Sequence, residues 1–172
     1  LRVNSQVVKL APSDPEAHYN LGLTLKMLGR MPQAEISLRK AIEFNSLFYE
    51  AFYNLGNVLK ELERHSEAKT VYRRAIELKP SFYEAHFNLG NTLRELGKLE
   101  EAQKSYLRAI KLKEDFADAH YNFGATAQQL GKLKEAKQGY AQAISIRANY
   151  PEAHNNLGMI FKEYGRFDDA QA

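Results

Sequence analysis

The triplet Asn-Leu-Gly, or a near copy of it, returns every 34 residues: Asn20-Leu21-Gly22, Asn54-Leu55-Gly56, Asn88-Leu89-Gly90, Asn122-Phe123-Gly124 and Asn156-Leu157-Gly158. The stride never changes, so there is no insertion between the first copy and the last. A chain that repeats at a fixed step of this length does not gather around one central core; each unit buries its apolar side on its neighbours. With the glycine numbered 8 in its unit, complete units span 15–48, 49–82, 83–116 and 117–150, and a partial unit spans 151–172. Residues 1–14 read as the second helix of a preceding unit, because Leu10 and Pro12 match Leu78 and Pro80.

Inside a unit the apolar residues fall at helical spacing. In the third unit Ala85, Leu89, Leu93 and Leu96 share one face of a first helix, and Ala102, Tyr106, Ala109 and Ile110 share one face of a second. Gly29, Gly97, Gly131 and Gly165 stand between such helices at position 15, where a left-handed residue ends the first helix. Nine of the ten glycines occupy position 8 or 15, so glycine serves the geometry of the repeat and builds no phosphate-cradling loop. The second unit departs from this, with Glu63 and His65 where the others carry glycine and an apolar residue. A looser or differently shaped turn is expected there. The small residues at positions 8 and 20 predict a close crossing within each hairpin, and Ala41, Ala75, Ala109 and Ala143 at position 27 a close contact with the next unit.

A 34-residue period with small residues at positions 8, 20 and 27 resembles the tetratricopeptide repeat. Ala34, Ala68, Ala102, Ala136 and Ala170 fill position 20, and Tyr72, Tyr106 and Tyr140 supply the aromatic at position 24, with Leu38 departing. The resemblance covers essentially the whole chain. Two departures are systematic: the family's Trp at position 4 is His18, Phe52, His86, His120 and His154, and its Tyr at position 11 is Leu25, Leu59, Leu93, Ala127 and Phe161. The resemblance implies an all-α fold, a right-handed superhelical solenoid of antiparallel helix hairpins, with first helices on the concave side and second helices on the convex side.

Composition narrows the chemistry. The chain contains no cysteine, which excludes disulfides, thiol nucleophiles and thiolate metal sites and leaves the compartment open, with the cytoplasm slightly favoured. A net charge of +3 over 172 residues is small for a nucleic-acid binder, and an acidic residue stands at position 2 of every unit: Glu16, Glu50, Glu84, Asp118 and Glu152. No stretch approaches a membrane span. The four histidines at position 4 lie on separate helices without a local His-x-x-x-His cluster, so they read as packing residues in place of Trp and no metal or other cofactor is expected. No nucleophile–base arrangement or paired-carboxylate pocket stands out, and the expectation is that these residues catalyse nothing.

The groove positions carried over from the family are 2, 5, 6, 9, 12 and 13 of the first helix. At position 6 every unit has an amide, Asn20, Asn54, Asn88, Asn122 and Asn156, with Asn57 and Asn91 adding a second column at position 9. An amide offers both donor and acceptor, so one per unit is suited to the backbone of an extended peptide; the same residues also suit hydrogen bonds between first helices. Beside them runs an aromatic column at position 5, Tyr19, Tyr53, Phe87 and Tyr121, readable as contact anchors or as packing between helices. Position 12 is basic in Lys26, Lys60, Arg94 and Lys162; of these Lys60 and Arg94 are taken with the amides as candidate peptide-binding residues.

The expected function is a protein–protein interaction module that holds an extended peptide or protein segment in its concave groove, as a piece of a longer protein. The alternative is the substrate-recognition arm of a larger enzyme, since the Asn column is similar to that of the O-linked N-acetylglucosamine transferases. The carboxylate clamp of co-chaperone members, with Lys at position 5 and Lys or Arg at positions 2 and 6, is absent: Tyr19, Glu16 and Asn20 or their counterparts stand there. Uncapped apolar ends also predict end-to-end self-association.

Overall fold

The structure, a computed structural model, describes residue 6 and residues 8–171, with side chains described as far as Lys162. Of the segment 1–14, read above as a second helix, residues 1–5 and 7 lie outside the described residues; residues 6 and 8–10 are helical. The helices are α1 (Pro15–Met27), α2 (Met31–Phe44), α3 (Tyr49–Glu61), α4 (His65–Leu78), α5 (Tyr83–Glu95), α6 (Leu99–Leu112), α7 (Ala117–Gln129), α8 (Leu133–Ile146) and α9 (Pro151–Gln171). There is no strand among the described residues, and the fold is an all-α solenoid. Each odd-numbered helix packs on the even-numbered helix that follows it, and each even-numbered helix on the next odd one. Adjacent odd-numbered helices also touch directly, which puts them on the inner side of the stack.

The crossing inside each hairpin is set by glycine against a position-24 side chain. A Cβ on Gly56 would lie 2.5 Å from Tyr72 Cε1, and one on Gly90 2.6 Å from Tyr106 Cε1. Gly22 makes the same room for Leu38, at 2.8 Å from its Cγ. The rings of Tyr72, Tyr106 and Tyr140 are thereby fully buried, as are the position 20 and 27 alanines of the four complete units. In the fourth unit the tenth glycine, which the periodicity leaves unexplained, has its own reason. A Cβ on Gly139 would lie 2.8 Å from both N and Cα of Gly124 and from the His120 carbonyl oxygen, so α7 and α8 cross backbone against backbone. Gly158, whose unit has no such crossing among the described residues, has nothing within 4 Å.

Two expectations about turns are corrected. Glu63 does not loosen or reshape its turn. It takes φ 59°, beside 71° for Gly29, Gly97 and Gly131. Glu63 N–H donates to the Lys60 carbonyl and Arg64 N–H to the Leu59 carbonyl, both at 2.9 Å, matching the bonds that Gly97 and Lys98 make at 2.9 and 2.8 Å. This is a Schellman motif, and its two hydrogen bonds hold the left-handed residue whatever its side chain. Arg64, bound to Glu35 and Glu67 at 2.7 Å each, fastens the following residue as well. Gly165, expected to end a helix, instead lies inside α9. A left-handed glycine reverses the chain only when the next helix can dock, and the six described helical residues after it make under two turns.

The histidines replace Trp by tying down the loops between units. His18, His86, His120 and His154 each donate Nε2–H to a carbonyl six residues earlier, on Pro12, Pro80, Glu114 and Ala148, at 2.8–3.0 Å. Burial holds the His86 imidazole below its ordinary pKa, with Arg108 adding to the effect. No group of three His, Cys, Asp or Glu that could hold a metal ion occurs among the described residues, and no described helix is long and apolar enough to cross a membrane.

Candidate functional site

The inner face is built from the odd-numbered helices, and the amides on it are part of an ordered network. Asn88 Nδ2 donates to Tyr53 Oη at 3.1 Å and to Asn57 Oδ1 at 2.9 Å. Tyr72 Oη, arriving from α4, donates to the same Asn57 oxygen at 2.7 Å. One unit later Asn122 Nδ2 and Tyr106 Oη meet on Asn91 Oδ1 at 3.2 and 2.8 Å. Position 9 is thus the acceptor on which a phenol from its own unit and an amide from the next converge. Where position 9 is Leu23 or Ala125 the pivot is missing. There Asn54 and Asn156 donate only to the preceding Tyr19 and Tyr121 hydroxyls among the units before them, at 3.1 and 3.2 Å, and Asn54 adds the Glu50 carbonyl at 3.0 Å. Gln128 takes over as acceptor for Tyr140 at 2.7 Å.

The position-5 aromatics sit half-buried in the seams between units rather than standing clear of them. Tyr53 packs on Phe82 with centroids 4.7 Å apart, Phe87 on Phe116 at 4.7 Å, Tyr19 on Phe48 at 4.8 Å and Tyr121 on Tyr150 at 5.0 Å. Burial raises the pKa of Tyr19 and Tyr53, and pushes the Tyr140 hydroxyl, in the floor below, up to about 12.

What the network leaves open is acceptors. The Nδ2 groups of Asn54 and Asn88 each make two hydrogen bonds, but their Oδ1 atoms, and that of Asn156, accept none among the described residues. They are not sealed off either, since the one buried side-chain polar atom without a partner among the described residues is His65 Nδ1. Asn122 differs, its Oδ1 accepting from Arg94 Nη1 at 3.4 Å. Asn20 is exposed and its carbonyl accepts from Thr24 at 2.9 Å.

A cleft of about 520 Å³ opens beside this row, lined by residues of the second, third and fourth units. It brings together Lys60, Arg94, Asn91 and Asn122 of the sequence candidates. Glu61, Glu63, His65 and Glu95 complete its wall. These four escaped the sequence reading as site residues, although Glu63 and His65 broke the repeat pattern only three and five residues after Lys60. Lys60 makes no ion pair or hydrogen bond among the described residues, and Arg94 makes only the long bond to Asn122. The described arginines of the outer helices α2 and α4 behave otherwise: Arg39 meets Glu35 and Glu67, Arg73 meets Glu101, and Arg74 meets Glu77. Of the acidic column, Asp118 is engaged, receiving two bonds from Arg147 at 2.9 and 3.0 Å that hold its carboxyl below the usual range.

Comparison with known proteins agrees with this architecture. A family model described as TPR repeat matches residues 56–93, 90–131 and 128–165, and one described as Tetratricopeptide repeat matches 15–46. No curated protein sequence matches the chain. Among solved structures it is similar to MamA, at 26% identity and TM-score 0.82, over 87% of this chain and 89% of that one. It is similar to YrrB, described as a TPR protein with an unusual peptide-binding site, at 23% identity and TM-score 0.84, over 94% of this chain and 84% of that one. PilF of Pseudomonas aeruginosa aligns at 24% identity and TM-score 0.78, over 91% and 72%. Matched by family models over most of its length and folded as consecutive helix hairpins, the chain belongs to the tetratricopeptide repeat family.

Proposed function

We propose that the inner face holds an extended segment of a partner protein, as a recognition surface without chemistry of its own. The observation that carries this is the row of fixed acceptors. Asn54 and Asn88 are clamped by both amide protons to their own stack while Oδ1 stays open to solvent. A clamped acceptor loses little freedom on binding, and successive units present it at helix-packing steps of roughly 10 Å. An extended chain rising about 3.3 Å per residue offers a backbone N–H to each in turn. Asn54 and Asn88 therefore act as acceptors only, a narrower role than the donor-and-acceptor pairing expected from the sequence. YrrB, similar in fold, is itself described as peptide-binding.

The test is a pull-down from a random peptide library with the wild type, with Asn54, Asn88 and Asn122 changed together to Ala, and with Tyr53→Phe. Tyr53→Phe removes a seam bond and leaves every open acceptor in place. Helicity of each variant is followed by circular dichroism. Capture lost in the triple variant and kept in Tyr53→Phe supports the reading. Capture unchanged in a folded triple variant ends it. The substrate arm of a glycosyltransferase would use the same groove, and its distinguishing observation is a catalytic domain elsewhere in the parent protein. Self-association is a separate proposal, resting on the exposed Leu10, Met27 and Leu28 toward one end and Met159 and Phe161 toward the other. Sedimentation at millimolar concentration that shows only monomer would remove it.

A further inference from the structure

The cleft beside the acceptor row has a charge pattern that selects among segments. Lys60 and Arg94 stand at the same position of consecutive units, and both are half-buried. Neither has a carboxylate within ion-pairing distance among the described residues, although Glu61, Glu63 and Glu95 line the same cleft. Those three glutamates are exposed, so water and salt screen them. The stems of the two cations are partly covered and their charged heads are without a carboxylate partner among the described residues. Arg94 is also held in place through Asn122, with further guanidinium N–H donors unused among the described residues.

We infer that this cleft is an anion subsite, which receives an aspartate or glutamate side chain of the bound segment between Lys60 and Arg94. The inference rests on the groove reading above and adds a sequence preference to it. The acceptor row takes any backbone, whereas the cleft fixes which residue lies where. The site differs from the carboxylate clamp of co-chaperone members, whose basic positions are Tyr19, Glu16 and Asn20 or their counterparts in this chain. An acidic side chain gains charge-assisted hydrogen bonds from two donors at once. A basic side chain would meet only exposed carboxylates and would be repelled by the half-buried pair.

The experiment uses three sets of fluorescent twelve-residue peptides with a common random background and a single fixed Glu, Gln or Lys at the centre. Binding is read by fluorescence polarisation at low and moderate salt. The Glu set is expected to bind roughly tenfold more tightly than the Gln set. In the Lys60→Met, Arg94→Met double variant this preference falls to unity while binding of the Gln set persists. Equal binding of the Glu and Gln sets overturns the subsite and leaves the groove intact. Tighter binding of the Lys set also overturns it, by showing that the glutamates govern the cleft. If no set binds at any concentration, the groove reading falls and the subsite falls with it.

Discussion

Asn88 and Asn57 join the second and third units through a single 2.9 Å hydrogen bond, Asn88 donating Nδ2–H to Asn57 Oδ1. The same oxygen takes the Tyr72 hydroxyl, so one small side chain answers two half-buried donors. Asn57→Ala leaves the Tyr72 hydroxyl and one of the two Asn88 amide protons without an acceptor and is expected to cost about 1–3 kcal/mol of stability. Because the donors share one acceptor, Tyr72→Phe made on top of Asn57→Ala should cost less than it does in the wild type. Urea unfolding of the four proteins measures the coupling, and strict additivity would show the network to be energetically idle.

Gly139 and Gly158 are both helical glycines with opposite expectations. Gly139→Ala pushes a methyl into the Gly124 backbone and should destabilise by about 1–3 kcal/mol, since backbone cannot turn aside as a side chain can. Gly158→Ala meets open space and should stabilise by up to about 1 kcal/mol through helix propensity. Thermal melts of the two variants should shift in opposite directions.

Glu63 is the one non-glycine residue with positive φ among those described. Replacing it with glycine relieves a left-handed conformation worth about 1 kcal/mol and leaves both turn hydrogen bonds in place. Glu63→Gly should therefore melt higher, by roughly 2–4 °C. A lower or unchanged melting point would mean that the carboxylate contributes something the backbone geometry does not reveal.

The His86 imidazole is held below its ordinary value of 6.5, so the folded state favours the neutral ring. Its stabilising contribution is complete above that value and is lost as pH falls through the lower folded pKa. His86→Gln keeps an N–H for the Pro80 carbonyl but cannot titrate. Chemical unfolding from pH 8 to pH 4 should show a shallower decline for this variant than for the wild type. At the other end of the scale the Tyr140 phenol, raised by burial from 10.0 to about 12, favours folding below pH 10 and withdraws that support as pH climbs toward 12. Tyr140→Phe should flatten this alkaline limb.

The fold was legible because its determinants are local and repeated. Five glycines at one stride and alanines at positions 20 and 27 state where helices must cross, and in the four complete units the crossings lie there. The candidate site was less legible. Asn88 and Tyr53 were recognisable as inner-face residues, but which atoms they keep for a partner depends on the register between units, and no spacing along one chain conveys that. The Tyr72 contribution was hidden because position 24 reads as core, and only its hydroxyl reaches Asn57. The Glu63 turn misled for a simpler reason: residue preference pointed to a looser or differently shaped turn, whereas two backbone hydrogen bonds impose the glycine-like geometry on glutamate.

The joints of the array are not bonded alike. Between the second and third units Tyr53, Asn88, Asn57 and Tyr72 are linked in that order by an unbroken chain of hydrogen bonds, while Phe87 has no hydroxyl to offer Asn122, and Leu23 and Ala125 supply no amide at their own seams. The amide ladder is accordingly complete at one seam and thinner on either side, so an extended partner would meet a continuous rail there and separate anchor points beyond it.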